Sequence, residues 1–146
     1  MPQPWTVVVN SPEESRRLAK QFAGNLAAGD TVAFYGELGS GKTFFIRALC
    51  AALNCRQEPT SPTFTIIQQY ETSSGLQIYH FDFYRLENQA ELQNLGLDEF
   101  FYSENICMVE WAGKIEAQLP MPRWEVHLEF VAENPQGREI SIFKLK

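Results

Sequence analysis

Thr31-Val32-Ala33-Phe34-Tyr35-Gly36-Glu37-Leu38-Gly39-Ser40-Gly41-Lys42-Thr43 is the stretch on which the fold of this chain turns. Its first five residues form a short run rich in β-branched and aromatic side chains, the composition of a strand buried on both faces. The next eight match G-x-x-x-x-G-K-[ST] in full. The glycines let the backbone wrap so that successive N–H groups point inward at phosphate oxygens. Lys42 brings a mobile point charge to the β and γ phosphates. The Thr43 hydroxyl is placed to ligate Mg²⁺. Beyond it, Phe45, Ile46, Leu49 and Leu53 recur at helical spacing, so the loop opens a helix whose positive end adds a fixed partial charge. Strand, glycine loop and helix in that order give the motif the setting it needs to hold a nucleoside triphosphate with Mg²⁺.

Working outward, residues 5–10 read as a strand. Ser11-Pro12-Glu13-Glu14 then starts a helix, with Ser11 as N-cap, Pro12 at the first helical position and Glu14 closing a capping box. Leu18, Phe22 and Leu26 give that helix one apolar face, and Gly29-Asp30 ends it. Residues 54–62, with two prolines and no periodicity, read as a loop. Strands over 63–70 and 76–84 are joined by Thr72-Ser73-Ser74-Gly75 as a hairpin. A short helix over 88–95 closes at Gly96, and 98–102 adds a turn. Residues 106–111 form another buried strand, followed by a helical stretch to about Leu119. A terminal hairpin pairs 124–131 with 139–145 around Asn134-Pro135-Gln136-Gly137. Early alternation and later hairpins predict an α/β fold, P-loop NTPase-like and three-layered, with a mixed central sheet flanked by helices. The 146 residues suit one domain, residues 1–146.

With 45% hydrophobic and 21% charged residues the composition is that of a soluble globular protein. No apolar run is long enough to cross a bilayer, so no membrane association is expected. The first residues carry neither a basic nor an apolar leader segment. The odd count of cysteines (Cys50, Cys55, Cys107), without a C-x-x-C pair, speaks against a disulfide framework or zinc site and for reduced thiols in the cytoplasm. A formal net charge of −6 excludes a domain that holds nucleic acid by its own field.

A second magnesium group is expected as a carboxylate ending a neighbouring apolar strand. Asp82, after Ile78-Tyr79-His80-Phe81, and Glu110, after Ile106-Cys107-Met108-Val109, both qualify, and spacing does not choose between them. His80, alone in an aromatic strand, reads as a partly buried structural residue rather than a base. Tyr79, Phe81, Phe83 and Tyr84 read as core and edge packing. Arg85 is either a solvated strand-end charge or a phosphate or partner contact. The absence of N-K-x-D, D-x-x-G and L-S-G-G-Q argues against Ras-type GTPases and transporter ATPases. Residues 54–102 hold only Arg56 and Arg85, too few for the arginine-bearing lid of a small-molecule kinase.

Four segments in order carry a family resemblance: the loop at 36–43, Ser61-Pro62-Thr63-Phe64-Thr65, His80-Phe81-Asp82-Phe83-Tyr84-Arg85-Leu86, and Val109-Glu110-Trp111. With the spacer Glu91-Leu92 and Leu95-Gly96, the sequence closely resembles the TsaE (YjeE) family, bacterial ATPases of tRNA threonylcarbamoyladenosine formation. The resemblance implies an ATP site in which Thr43 and Glu110 ligate Mg²⁺. It implies that Asp82 acts near the γ-phosphate or the metal's outer shell, and that 61–65 is a switch-like loop with Thr63 beside the nucleotide. It places the adenine near Ser11 and Arg138. Where the family commonly has Thr, this chain has Phe44, whose backbone N–H keeps its phosphate contact. The implied partners are TsaD, which modifies adenosine 37, and its scaffold TsaB, with any tRNA contact arising indirectly in the complex. No arginine finger or water-orienting glutamine is identified in the sequence, so a slow, partner-dependent ATPase is expected.

Overall fold

Alternation along each strand sorts the side chains of this protein onto two faces of one sheet, and the site follows from that sorting. The structure, a computed structural model, describes residues 5–56, 67–88 and 90–146. In chain order these form β1 (Trp5–Val9), α1 (Pro12–Ala23), β2 (Thr31–Tyr35), α2 (Lys42–Ala52), β3 (Ile67–Glu71), β4 (Gln77–Asp82), α3 (Ala90–Gln93), α4 (Leu97–Phe101), β5 (Ile106–Glu110), a 3₁₀ stretch Ala112–Gln118, β6 (Arg123–Val131) and β7 (Asn134–Leu145). Seven strands lie in the order β1-β7-β6-β2-β5-β4-β3. β6, β2, β5 and β4 run parallel, while β1, β7 and β3 are antiparallel to their neighbours. The sheet is mixed, as the sequence predicts.

Val32 and Phe34 of β2 face one way with Ile78 of β4, Ile106 and Met108 of β5 and Trp124 of β6, and α1 and α2 cover them. Phe22, Phe45, Ile46 and Leu49 are fully buried there, each stabilising the fold by roughly 1.5–3 kcal/mol. Phe22 meets the Trp124 ring edge-on at 5.1 Å between centroids. Ala33, Phe81, Cys107 and Val109 face the other way, against Leu92, Leu97, Phe101 and Ile115 of the short helices and the 3₁₀ stretch. Two helical layers therefore flank a central sheet. Tyr35, the last residue of β2, stacks on His127 at 4.6 Å and donates to Glu125 at 3.4 Å. Burial first, then the Glu125 charge, pushes its phenol up to about 12. Glu125 is also paired to Arg123 at 2.9 Å, so a charged cluster secures the strand end from which the phosphate loop departs.

Several boundaries differ from the sequence reading. Helix α1 stops at Ala23, capped by Gly24, well before Gly29. Asn25 donates its side-chain amide to the Gln21 carbonyl, and Asp30 accepts from the Ala27 N–H. Such local hydrogen bonds give the chain an alternative to helix; Leu26 still packs on the core from outside it. Ser11 caps as predicted, accepting from the Glu14 N–H at 3.3 Å, but the Glu14 carboxylate takes the Ser11 hydroxyl. The helix over 88–95 shrinks to Ala90–Gln93, and the segment after Trp111 is 3₁₀ with a kink at Ile115. In the terminal hairpin the turn is Ala132-Glu133, with Glu133 at φ 65°, not residues 134–137. The register passes from Phe130–Arg138 to Val131–Asn134, so residues 135–137 leave the ladder as a bulge. Pro135 has no N–H for a ladder. All three cysteines are free thiols. Segment 61–65, with Thr63, and the start of the strand predicted from 63 lie outside the described residues.

Candidate functional site

The phosphate loop leaves the C-terminal end of β2, where ligands of open α/β sheets bind. Gly39 and Gly41 have φ of 82° and 101°, a left-handed backbone that favours glycine. Gly36 is required by close approach. A Cβ there would lie 2.4 Å from Ser40 Oγ and 2.8 Å from the Leu128 carbonyl. Gly41 is also the N-cap of α2 and supplies no side-chain acceptor. The first N–H groups of that helix are thus left to an anion. Within the loop, the Ser40 N–H closes a turn on the Glu37 carbonyl at 3.0 Å.

Lys42 is buried beside this loop. Its Nζ donates to the Gly36 carbonyl and, at 3.3 Å, to that of Glu37. It also lies 4.2 Å from the centroid of the Trp111 ring. Burial lowers the Lys42 ammonium from the ordinary lysine range, and the Glu110 and Asp82 charges oppose that shift.

Asp82 and Glu110, the two carboxylates between which spacing did not choose, are register partners at the ends of β4 and β5. Both lie on the α2 face because residues two apart share a face. Glu110 is 3% exposed, and its Oε1 accepts from the Thr43 hydroxyl at 3.3 Å. Its Oε2 meets His80 Nε2 at 2.7 Å. Asp82 Oδ1 accepts the Tyr84 N–H at 3.0 Å. Burial raises the Asp82 carboxyl above its usual range; the Tyr84 N–H pulls it down and Glu110 pushes it up.

A cleft of ≈ 340 Å³ is lined by Leu38, Gly39, Gly41, Lys42, Thr43, Phe44, Asp82, Tyr84, Arg85, Glu110 and Trp111. A second pocket, ≈ 440 Å³, shares Gly41 and Phe44 with it and is lined also by Ser11, Ser15, Ser40, Leu128, Gln136 and Arg138. The structure thus gathers Leu38, Gly39, Gly41, Lys42, Thr43, Phe44, Asp82 and Glu110 around one cleft. Ser11, Ser40 and Arg138 come together around the adjoining pocket. Gly36 and Glu37 sit behind the loop as acceptors for Lys42. Arg138 takes a bracing position, donating through Nε to the Ser40 carbonyl at 3.0 Å and through Nη2 to that of Gly39 at 3.4 Å. The bulge in β7 sets it there.

Three residues matter more than the sequence reading allowed. His80 is fully buried and paired to Glu110 rather than merely filling space. Its signal was the alternation that puts Ile78, His80 and Asp82 on one face. Trp111 adopts φ 57°, uncommon for a bulky residue, and nothing in its sequence marks that conformation. Arg85 lines the cleft, which favours the phosphate-side alternative. Phe81 and Phe83 are core, as read, while Tyr84 is half exposed at the cleft.

The chemistry of the cleft is that of hard oxygen donors beside a cation and a helix N-terminus, suited to a phosphate chain and a small divalent ion. Comparisons agree. The family model for the threonylcarbamoyl adenosine biosynthesis protein TsaE matches residues 9–140. The tRNA threonylcarbamoyladenosine biosynthesis protein TsaE of Bacillus subtilis is 39% identical over 137 residues, 94% of this chain and 82% of that protein. That of Rickettsia felis is 39% identical over 130 residues, 88% of this chain and 74% of that one. The crystal structure of Bacillus subtilis YdiB superposes with a TM-score of 0.79 at 34% identity, covering 100% of this chain and 88% of that one. By fold, cleft and sequence together, the chain belongs to the TsaE family.

Proposed function

We propose that residues 1–146 form a single P-loop ATPase domain that binds Mg-ATP and hydrolyses it slowly. In this reading it serves N6-threonylcarbamoyladenosine modification at adenosine 37 of tRNA by sustaining turnover of a TsaB–TsaD pair. The observation that carries it is the meeting of Thr43 and Glu110, 67 positions apart in sequence, in a family whose relatives bear the name of that pathway. Thr43 and Glu110 are hydroxyl and carboxylate donors of the kind Mg²⁺ takes. Held by Thr43 and Glu110, Mg²⁺ would supply the positive charge that offsets charge developing on the phosphates.

The chain's own residues do the rest. Loop N–H groups and Lys42 hold the phosphates, and Phe44 contributes its backbone N–H. Asp82 lies at the cleft, where it would act on the γ-phosphate side. Ser11 and Arg138 border the adjoining pocket, the place for adenine. Thr63, outside the described residues, is assigned to the nucleotide by resemblance to the family. Among the described residues no glutamine lines the phosphate cleft, in keeping with slow intrinsic hydrolysis. The net charge of −6 leaves tRNA contact to the complex. No helix of the described residues is long and apolar enough to cross a membrane, and the proposed location is the cytoplasm.

The test is ATP turnover by the purified chain, alone and with TsaB and TsaD, with and without tRNA. Slow turnover alone and faster turnover with the pair is the expected result, a partner-supplied charge being worth about 10³- to 10⁵-fold. Equal rates in both conditions would overturn the partner dependence.

A further inference from the structure

His80 is 0% exposed, and one of its ring nitrogens has no hydrogen-bond partner among the described residues. That atom is Nδ1. The other, Nε2, lies 2.7 Å from Glu110 Oε2. A buried ring that merely filled the core would be served better by an apolar side chain, since an unpaired buried polar atom costs about 1–3 kcal/mol. A carboxylate only accepts, so Nε2 carries the ring proton and donates to it.

We propose that His80 is a positioning residue for Glu110, holding one carboxylate oxygen so that the other is presented to Thr43 and to the divalent ion. This rests on the Mg-ATP reading above. The terminal torsion of a glutamate is broad and roughly two-fold, so a single contact leaves the carboxylate free to turn. Here both oxygens are engaged, Oε1 by the Thr43 hydroxyl at 3.3 Å and Oε2 by His80. The sheet fixes the pair. His80 lies opposite Met108, and Glu110 follows two residues later on the same face of the parallel neighbour. Tyr70, itself 5% exposed, packs behind it with its ring 6.2 Å from the imidazole. Hydrogen bonds to metal-ligating groups of this kind commonly govern metal affinity by about 10- to 100-fold.

The experiment compares His80→Gln with His80→Asn. Glutamine carries its amide nitrogen as many bonds from the backbone as Nε2 and can still reach Glu110; asparagine is one carbon short. Binding of a fluorescent, non-hydrolysable ATP analogue is followed while Mg²⁺ is titrated, and again in EDTA. For His80→Asn the Mg²⁺ midpoint should rise about 10- to 100-fold, with affinity in EDTA unchanged within about twofold. His80→Gln should stay well inside the roughly 10-fold lower bound of such effects on both readouts. If His80→Asn does not fold, His80→Phe, which keeps a ring and removes the donor, takes its place with the same expectation. A deficient variant with the parent's Mg²⁺ midpoint, or a glutamine variant shifted as far as the asparagine one, overturns the role of His80. A parent protein whose binding ignores Mg²⁺ would instead sink the Mg-ATP reading itself.

Discussion

The two walls of the phosphate cleft are made in different ways. One wall is eight consecutive residues, from Gly36 to Thr43, shaped by backbone conformation and by the helix they open. The other joins the ends of β4 and β5, where His80 and Glu110 stand 30 positions apart in sequence. The first wall needs glycine where a Cβ would collide and few particular side chains. The second needs particular side chains, and it exists only because parallel pairing sets Asp82 beside Glu110. Local chemistry can build an anion site; a directed carboxylate takes a sheet. Even so, the first wall is not wholly local. Arg138, on the opposite edge of the molecule's sequence, braces two of its carbonyls.

Substitution in each wall should separate what each contributes. The largest effect is expected from Gly36→Ala, because the added methyl would meet the Leu128 carbonyl at 2.8 Å. Overpacking of this kind costs about 1–3 kcal/mol, or roughly 3–10 °C in melting temperature for a chain of this size. Triphosphate binding should weaken at least about 100-fold as the cradle deforms, its several charge-assisted contacts each being worth about 1.5–3 kcal/mol. Calorimetry and titration with and without Mg²⁺ check both effects, and loss in both conditions marks the loop wall. Near-normal binding would show that the close approach does not govern the cradle.

Glu110→Gln should act on the other wall alone. Hydrolysis is expected to fall about 100-fold, the scale of losing one preorganised electrostatic group, while nucleotide affinity in EDTA is retained. Single-turnover kinetics with radiolabelled ATP would measure it. A variant that loses metal-free binding equally would erase the distinction between the walls.

The smallest effect is in pH. Burial raises the Asp82 carboxyl above its ordinary value, so the folded state binds its proton more tightly than the unfolded chain. Its contribution to stability is then fully present below pH 3.8 and is lost as pH rises through the folded value. Asp82→Asn should flatten that decline in a denaturation series, and no change in the acid-side slope would contradict it. For hydrolysis the sense is the same group read from the other side. Asp82 gains its charge at a higher pH than an ordinary aspartate, so an acid limb that tracks Asp82 should lie on the alkaline side of an ordinary aspartate's.

Much of this architecture is readable along the chain. Thr31–Tyr35 and Ile106–Glu110 are strands with the bounds or near-bounds that their apolar runs announce, and Ser11 caps its helix as its neighbours suggest. Misreadings fall where local hydrogen bonds compete with periodicity, as at Asn25 and Asp30, or where a proline is thrown out of a ladder rather than into a turn, as at Pro135. Asp82 and Glu110 were both visible as strand-end acids. Choosing between them took family resemblance, and the structure puts them side by side with Thr43 bonded to Glu110. His80 stood in plain view, yet an isolated histidine has no partner until register supplies one.

By itself, the sequence determined the phosphate loop, the α/β class and the apolar faces, because each depends on neighbours within a turn or a strand. Tertiary structure alone decided that His80 and Thr43 take opposite oxygens of Glu110, that Trp111 covers Lys42, and that Arg138 braces the loop. Those contacts join residues tens of positions apart, and the register of a folded sheet, not the chemistry of any one segment, sets their distance.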